Sequence, residues 1–179
     1  MTDAPQPVTD PLTLAALDTE RHVARSGWDQ PVRLFALVPT QDLLAHEPHL
    51  AEGMAAHDAV TGALSAVEQD ELPQADGLED LLARIAWPEQ VAGCALAVER
   101  IVVPPEAERE LPEDESEALR AVAEHPHRAD VRLLVAVTRD GAARCLLRQR
   151  DHDSDDRVAL GEDIAPGLVH ALRATFSDD

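Results

Sequence analysis

Asp140-Gly141, set between two apolar runs, constrains this chain more than any other dipeptide in it. Residues 131–138 (VRLLVAVT) precede it and residues 142–149 (AARCLLRQ) follow it. Asp-Gly between such runs is a hairpin signal, because the turn needs a positive φ that glycine adopts at little cost. The loop length then fixes which side chains share a face. A two-residue loop would place Arg144 and Arg148 beside Leu133, Val135 and Val137. A three-residue loop, Arg139-Asp140-Gly141, places Cys145 and Leu147 there and groups Arg144, Arg148 and Arg150 with Arg132 on the opposite face. A buried face must stay free of charge, so the three-residue loop is predicted, with Gly141 at positive φ as in a G1 bulge.

The opposite face is mixed, with Leu134, Ala136 and Leu146 in the middle and arginines at the margin. Two readings follow: the arginines pair with acidic loops, or an anionic ligand or acidic peptide docks there. The binding residues of the second reading are Arg132, Arg144, Arg148, Arg150, Leu134 and Leu146.

Residues 91–103 (VAGCALAVERIVV) supply a further strand, closed by Pro104-Pro105. Ala95 and Ala97 share a face that a helix can approach closely. Glu99-Arg100 interrupts the run, either as a bulge or exposed strand end or as a buried ion pair. Residues 32–38 (VRLFALV), between Pro31 and Pro39, suit a strand buried on both faces. Asp10-Pro11 opens a helix that should end near Ser26-Gly27. Ser65 and Glu68 have capping-box spacing, as do Asp76 and Glu79 before Leu78, Leu81, Leu82 and Ile85. Ser116 is a candidate cap for a helix carrying Leu119, Val122 and Ala123, and Pro166 opens a last helix with Leu168, Leu172 and Phe176 towards the core. The expected fold is α+β: a central, mostly antiparallel sheet of about four strands, with helices mainly on one face. A doubly wound α/β sheet is the runner-up, disfavoured by the hairpin. The length of 179 residues fits a single domain over residues 10–179, behind a Pro-rich tail, residues 1–9, expected to be disordered.

The chain holds 35 Asp and Glu against 15 basic residues, all arginine, for a formal charge of −20. Such a surface repels nucleic-acid backbone and anionic membrane. Neither a signal peptide nor a run of membrane-spanning length is present, so a cytoplasmic location is expected. Cys94 and Cys145 fall inside strand runs without metal spacing and suit buried thiols.

Residues 151–162 place Asp151, Asp153, Asp155 and Glu162 at positions 1, 3, 5 and 12 of a loop that resembles an EF-hand Ca²⁺ site. Asp156 stands where that loop needs glycine, and a strand rather than a helix leads into it. Pro48 breaks the helix that would set His46 and His49 on one face, with His57 further on, and His125 and His127 stand at a helix end. No nucleophile motif or phosphate loop is present. Residues 87–100 (WPEQVAGCALAVER) and 132–141 (RLLVAVTRDG) resemble a family of conserved uncharacterised proteins from actinobacteria; the resemblance implies no activity.

The leading functional expectation is a non-enzymatic acidic binding or adaptor protein, chaperone-like in its mode, that uses the mixed apolar and arginine face. It requires no cofactor, and its partner is another protein or a second copy of the chain. A Ca²⁺-dependent protein or enzyme using the 151–162 loop and a DNA mimic are the alternatives.

Overall fold

The computed structural model describes residues 10–42, 63–69, 72, 74–75, 77–161 and 164–176. Among these, five helices surround a six-stranded sheet: α1 (Pro11–Ala24), β1 (Arg33–Pro39), β2 (Leu64–Glu68), α2 (Leu78–Ala83), β3 (Gly93–Val102), α3 (Pro105–Arg109), α4 (Glu115–Glu124), β4 (Ala129–Thr138), β5 (Ala143–Gln149), β6 (Ala159–Gly161) and α5 (Pro166–Ala174). Strand order is β2-β1-β3-β4-β5-β6, and every neighbouring pair is antiparallel.

The sheet has six strands rather than about four. β2 forms where Ser65 and Glu68 have capping-box spacing. Tertiary pairing overrides that local signal: Phe35 lies opposite Glu68, and the Arg33 guanidinium grips the Glu68 carboxylate at 2.6 and 2.9 Å. β6 forms inside the acidic 151–162 stretch, pairing Ala159, Leu160 and Gly161 with Leu147, Leu146 and Cys145.

The hairpin has the expected register. Val137 faces Ala143 and Val135 faces Cys145, with Arg139-Asp140-Gly141 as the loop. Gly141 has φ of 100° and donates its N–H to the Thr138 carbonyl. The next strand pair runs without a bulge, because Glu99 stands directly opposite Arg132.

Helices cover both faces of the sheet, not mainly one. α2 and α5 bring Leu82, Val169 and Leu172 onto Leu96, Val98, Leu133, Val135 and Cys145. α1 brings Leu12, Ala15, Ala16 and Val23 onto Phe35, Leu37, Ala95, Ala97, Leu134, Ala136 and Leu146. Ala95 and Ala97 leave room for α1, whose own contact side is also alanine-rich. Burying each of these leucines contributes about 1.5–3 kcal/mol, which explains why neither apolar face stays in water.

α1 starts as its sequence dictates: the Asp10 carboxylate accepts from the Thr13 N–H and hydroxyl, and Pro11 occupies the first turn. It ends before Gly27 at φ 82°. α4 is capped by Asp114 instead of Ser116; the Asp114 carboxylate accepts from the Ser116 N–H. α4 buries none of its residues. The candidate cap Asp76 and the histidines His46, His49 and His57 lie outside the described residues.

Candidate functional site

The arginine-bearing margin of the α1 face becomes a row of alternating charges across three strands and a helix. Glu99 faces Arg132, and Arg132 faces Arg148. Two arginines directly opposite each other repel, so the row needs carboxylates to hold it. α1 supplies Glu20, whose carboxylate takes a two-pronged bond from Arg148 at 2.6 and 2.7 Å, with both side chains 2% exposed. The loop after β5 supplies Asp153 at 2.9 Å and Asp155 at 2.6 Å from the same guanidinium. Hydrogen bonding to Glu20 first, then to Asp155 and Asp153, raises the Arg148 pKa against the opposing effect of burial.

Trp28 sits over this row on the turn that follows α1. Its indole N–H donates to Asp153 at 3.0 Å. The guanidinium of Arg132 lies 4.3 Å from the ring centroid and that of Arg150 lies 5.7 Å away. Arg132 also donates to the Gly27 carbonyl and reaches Glu99 at 3.5 Å, while its Nε and Nη1 have no partner among the described residues. The Glu99 carboxylate holds the turn itself by accepting the N–H groups of Asp29 and Gln30 at 2.9 and 3.0 Å. Asp29 takes φ of 64°, a conformation that Asp tolerates better than most side chains. Arg150 grips Asp29 with two bonds of 3.0 and 3.1 Å. The Trp28 bond is the largest influence holding the Asp153 carboxyl below its ordinary range, reinforced by Arg148. Arg150 does the same for Asp29.

Beside this network a cleft of about 210 Å³ opens between Trp28, Ile101, Arg100 and Arg150, with Asp29, Glu99 and Asp130 on its walls. Ile101 and Val102 are 43% and 40% exposed at the end of β3. α4 lies against β3 and holds Leu119 at 66% exposure. Carboxylates dominate this end: Glu106, Glu110, Glu113, Asp114, Glu115, Glu117 and Glu124 stand in or beside α3 and α4, against Arg109 and Arg120.

The structure therefore gathers Arg132, Arg148 and Arg150 but not Arg144. Arg144 stands four residues before Arg148 along β5, roughly 13 Å away at strand rise, and pairs with Asp10 at 3.0 Å and the Thr13 hydroxyl at 2.9 Å. Leu134 and Leu146 have no exposure, because α1 covers them. The apolar middle of this face, which the docking reading needs open, is thus filled by the chain's own helix, and Arg144, Arg148 and Arg150 each pair with a carboxylate. Asp153 and Asp155 turn to Arg148, Asp151 is exposed in a 3-10 turn, and Glu162 lies outside the described residues. Among the described residues no group of three His, Cys, Asp or Glu gathers as a metal set. Trp28 and Glu20 carry no motif; their partners stand 125 and 128 positions away, so spacing alone could not pair them.

Both cysteines are free and buried. Burial pushes the Cys94 thiol up to about 12, against hydrogen bonds with Thr175 and Trp87. Among the described residues no helix is long and apolar enough to cross a membrane.

Fold and site together define an acidic α+β sheet protein whose central arginines are held by carboxylates from three separate segments. More particularly, the family model described as "PPA1309-like protein" matches residues 12–177, and the chain belongs to that family. A search of curated proteins and a search of solved structures each gave no match.

Proposed function

We propose that this chain is a non-enzymatic binding protein that docks a basic segment of a partner protein at the end of the sheet carrying Trp28, Ile101 and Leu119. The observation that carries this reading is the exposure of Ile101, Val102 and Leu119 on one carboxylate-rich end of the molecule. Isolated exposed leucines are ordinary surface features, but these three lie on a strand end and on the helix packed against it. α4 is ten residues long and half-buries Ala118, Ala121, Val122 and Ala123 but fully buries none of its residues, thin packing for a helix of that length. A partner laid across α4 and the end of β3 supplies the missing cover. The surrounding carboxylates select a partner rich in arginine or lysine, and speed its approach. The Trp28 cleft is large enough for one side chain, and tryptophan with arginine is the composition that interface anchors favour.

A photoreactive amino acid at position 119, introduced in the producing cell, tests the reading. The expected product is a crosslink to a peptide of another protein with basic residues beside an apolar one, lost in Ile101→Asp. Crosslinks only to a second copy of the chain, or none above those from a probe on the α2 surface, would overturn it.

A further inference from the structure

A second cleft, of about 470 Å³, lies between the hairpin end and α5. One stripe of α5 forms one wall, through Pro166, Val169, His170 and Arg173, which follow at helical spacing. The hairpin forms the other, through Gly141 and Arg144. Its described lining holds two guanidinium groups and an imidazole and no carboxylate, in a chain of formal charge −20. Arg144 pairs with Asp10 at 3.0 Å and donates to the Thr13 hydroxyl at 2.9 Å and the Ala143 carbonyl at 2.7 Å, which fixes that side chain's position. Arg173 is fixed in turn by its bond to the Gly141 carbonyl. The N-terminal end of α5 opens at the same wall, with Ala165 at the cap position and so no side chain to satisfy the first N–H groups.

We propose that this cleft is an oxyanion subsite, binding the phosphate or carboxylate group of a ligand between Arg144, His170 and Arg173. Guanidinium groups offer planar, paired donors that match either oxyanion, and the helix end adds positive potential from a third direction. Both arginines are already oriented by contacts within the chain, so little side-chain freedom is lost on binding. This subsite is separate from the Trp28 cleft and does not depend on the partner reading above.

The test is an amide NMR titration of the full chain with sodium phosphate, sodium acetate and, for ionic strength, sodium chloride. The expected result is saturable shifts at Gly141, Ala142, Gly167 and His170 with phosphate or acetate, but not with chloride. Saturation by phosphate alone assigns a phosphate group to the ligand, and saturation by acetate assigns a carboxylate. Arg173→Gln, with an otherwise native spectrum, should weaken binding about tenfold, the loss expected for one charge-assisted hydrogen bond. His170→Gln should weaken it less, and Arg84→Gln, on the α2 surface, should leave it unchanged. Shifts that fail to saturate, that chloride reproduces, or that survive Arg173→Gln at full affinity would overturn the proposal.

Discussion

Arg148→Met removes the cation that α1 and the loop after β5 share through Glu20, Asp153 and Asp155. Met keeps an unbranched apolar stem in the space of the arginine, so the change isolates charge from volume. It leaves the Glu20 carboxylate 2% exposed and without its two-pronged partner. An uncompensated buried charge of this kind costs about 3–5 kcal/mol. Asp153 and Asp155 also lose Arg148, but at 39% and 61% exposure they regain water and add little. For a domain of this size the expected fall in Tm is roughly 6–20 °C. Glu20→Gln is milder, because Arg148 keeps Asp153 and Asp155, and costs about 1–3 kcal/mol. The pair Glu20→Leu with Arg148→Met removes both buried charges and should return stability to within about 1 kcal/mol of the parent. Urea unfolding followed by tryptophan fluorescence gives all three numbers, and Glu20→Leu alone supplies the fourth corner of the double-mutant cycle. A loss below about 1 kcal/mol for Arg148→Met, or a double variant no more stable than the single one, refutes the reasoning.

Gly93→Ala should be among the most damaging small substitutions, because its Cβ would meet the Val137 carbonyl oxygen at 2.4 Å in a paired strand; calorimetry should show a lower Tm and Gly141→Ala, where space is open but φ is positive, a smaller fall. Trp28→Phe keeps a ring for Arg132 but removes the donor that lowers the Asp153 pKa, so part of its destabilisation exists only while Asp153 is ionised. That part is present above the ordinary value of 3.8 and fades as pH falls through the lower folded-state value; equal losses at neutral and strongly acid pH would count against the bond. Cys94 and Cys145 should resist a thiol reagent in the native state and react together at the rate of global unfolding, which time-resolved labelling with mass spectrometry measures.

The hairpin was legible because only one loop length keeps charge off the face of Leu133, Val135 and Val137, although the opposite face, with Arg132 and Arg148 at 2% exposure, is buried as well. The same pattern put Leu133, Val135 and Cys145 on one core and Leu134, Ala136 and Leu146 on the other. What the pattern could not show was that α1 would fill the second face, since its alanines give a weak apolar stripe. β2 and β6 escaped because each is defined by its neighbour: Glu68 reads as a helix cap until Arg33 claims it, and Ala159–Gly161 reads as loop until β5 pairs with it. Of the four arginines read as a cluster, Arg132, Arg148 and Arg150 stand together and Arg144 does not; acidic loops supply part of the pairing, through Asp153, Asp155 and Asp29, and Glu20 of α1 and Glu99 of β3 supply the rest. Glu20 was not visible as a partner, because nothing local marks an acidic residue on a helix as buried. Trp28 stayed silent for the same reason, as a lone aromatic in a turn.

The placement of α1 has a consequence for how the chain is made. α1 leaves the ribosome before the strands of the sheet, while Arg148 on β5 follows β1 to β4. Until β5 has emerged, α1 has only part of its sheet to rest on, and the Glu20 carboxylate stays in water. The closing step therefore joins segments more than a hundred residues apart, the kind of contact that slows folding. Nascent chains stalled before β5 should hold α1 undocked and susceptible to protease, with the apolar faces of β3 and β4 open to chaperones, and native packing should arrive late and all at once.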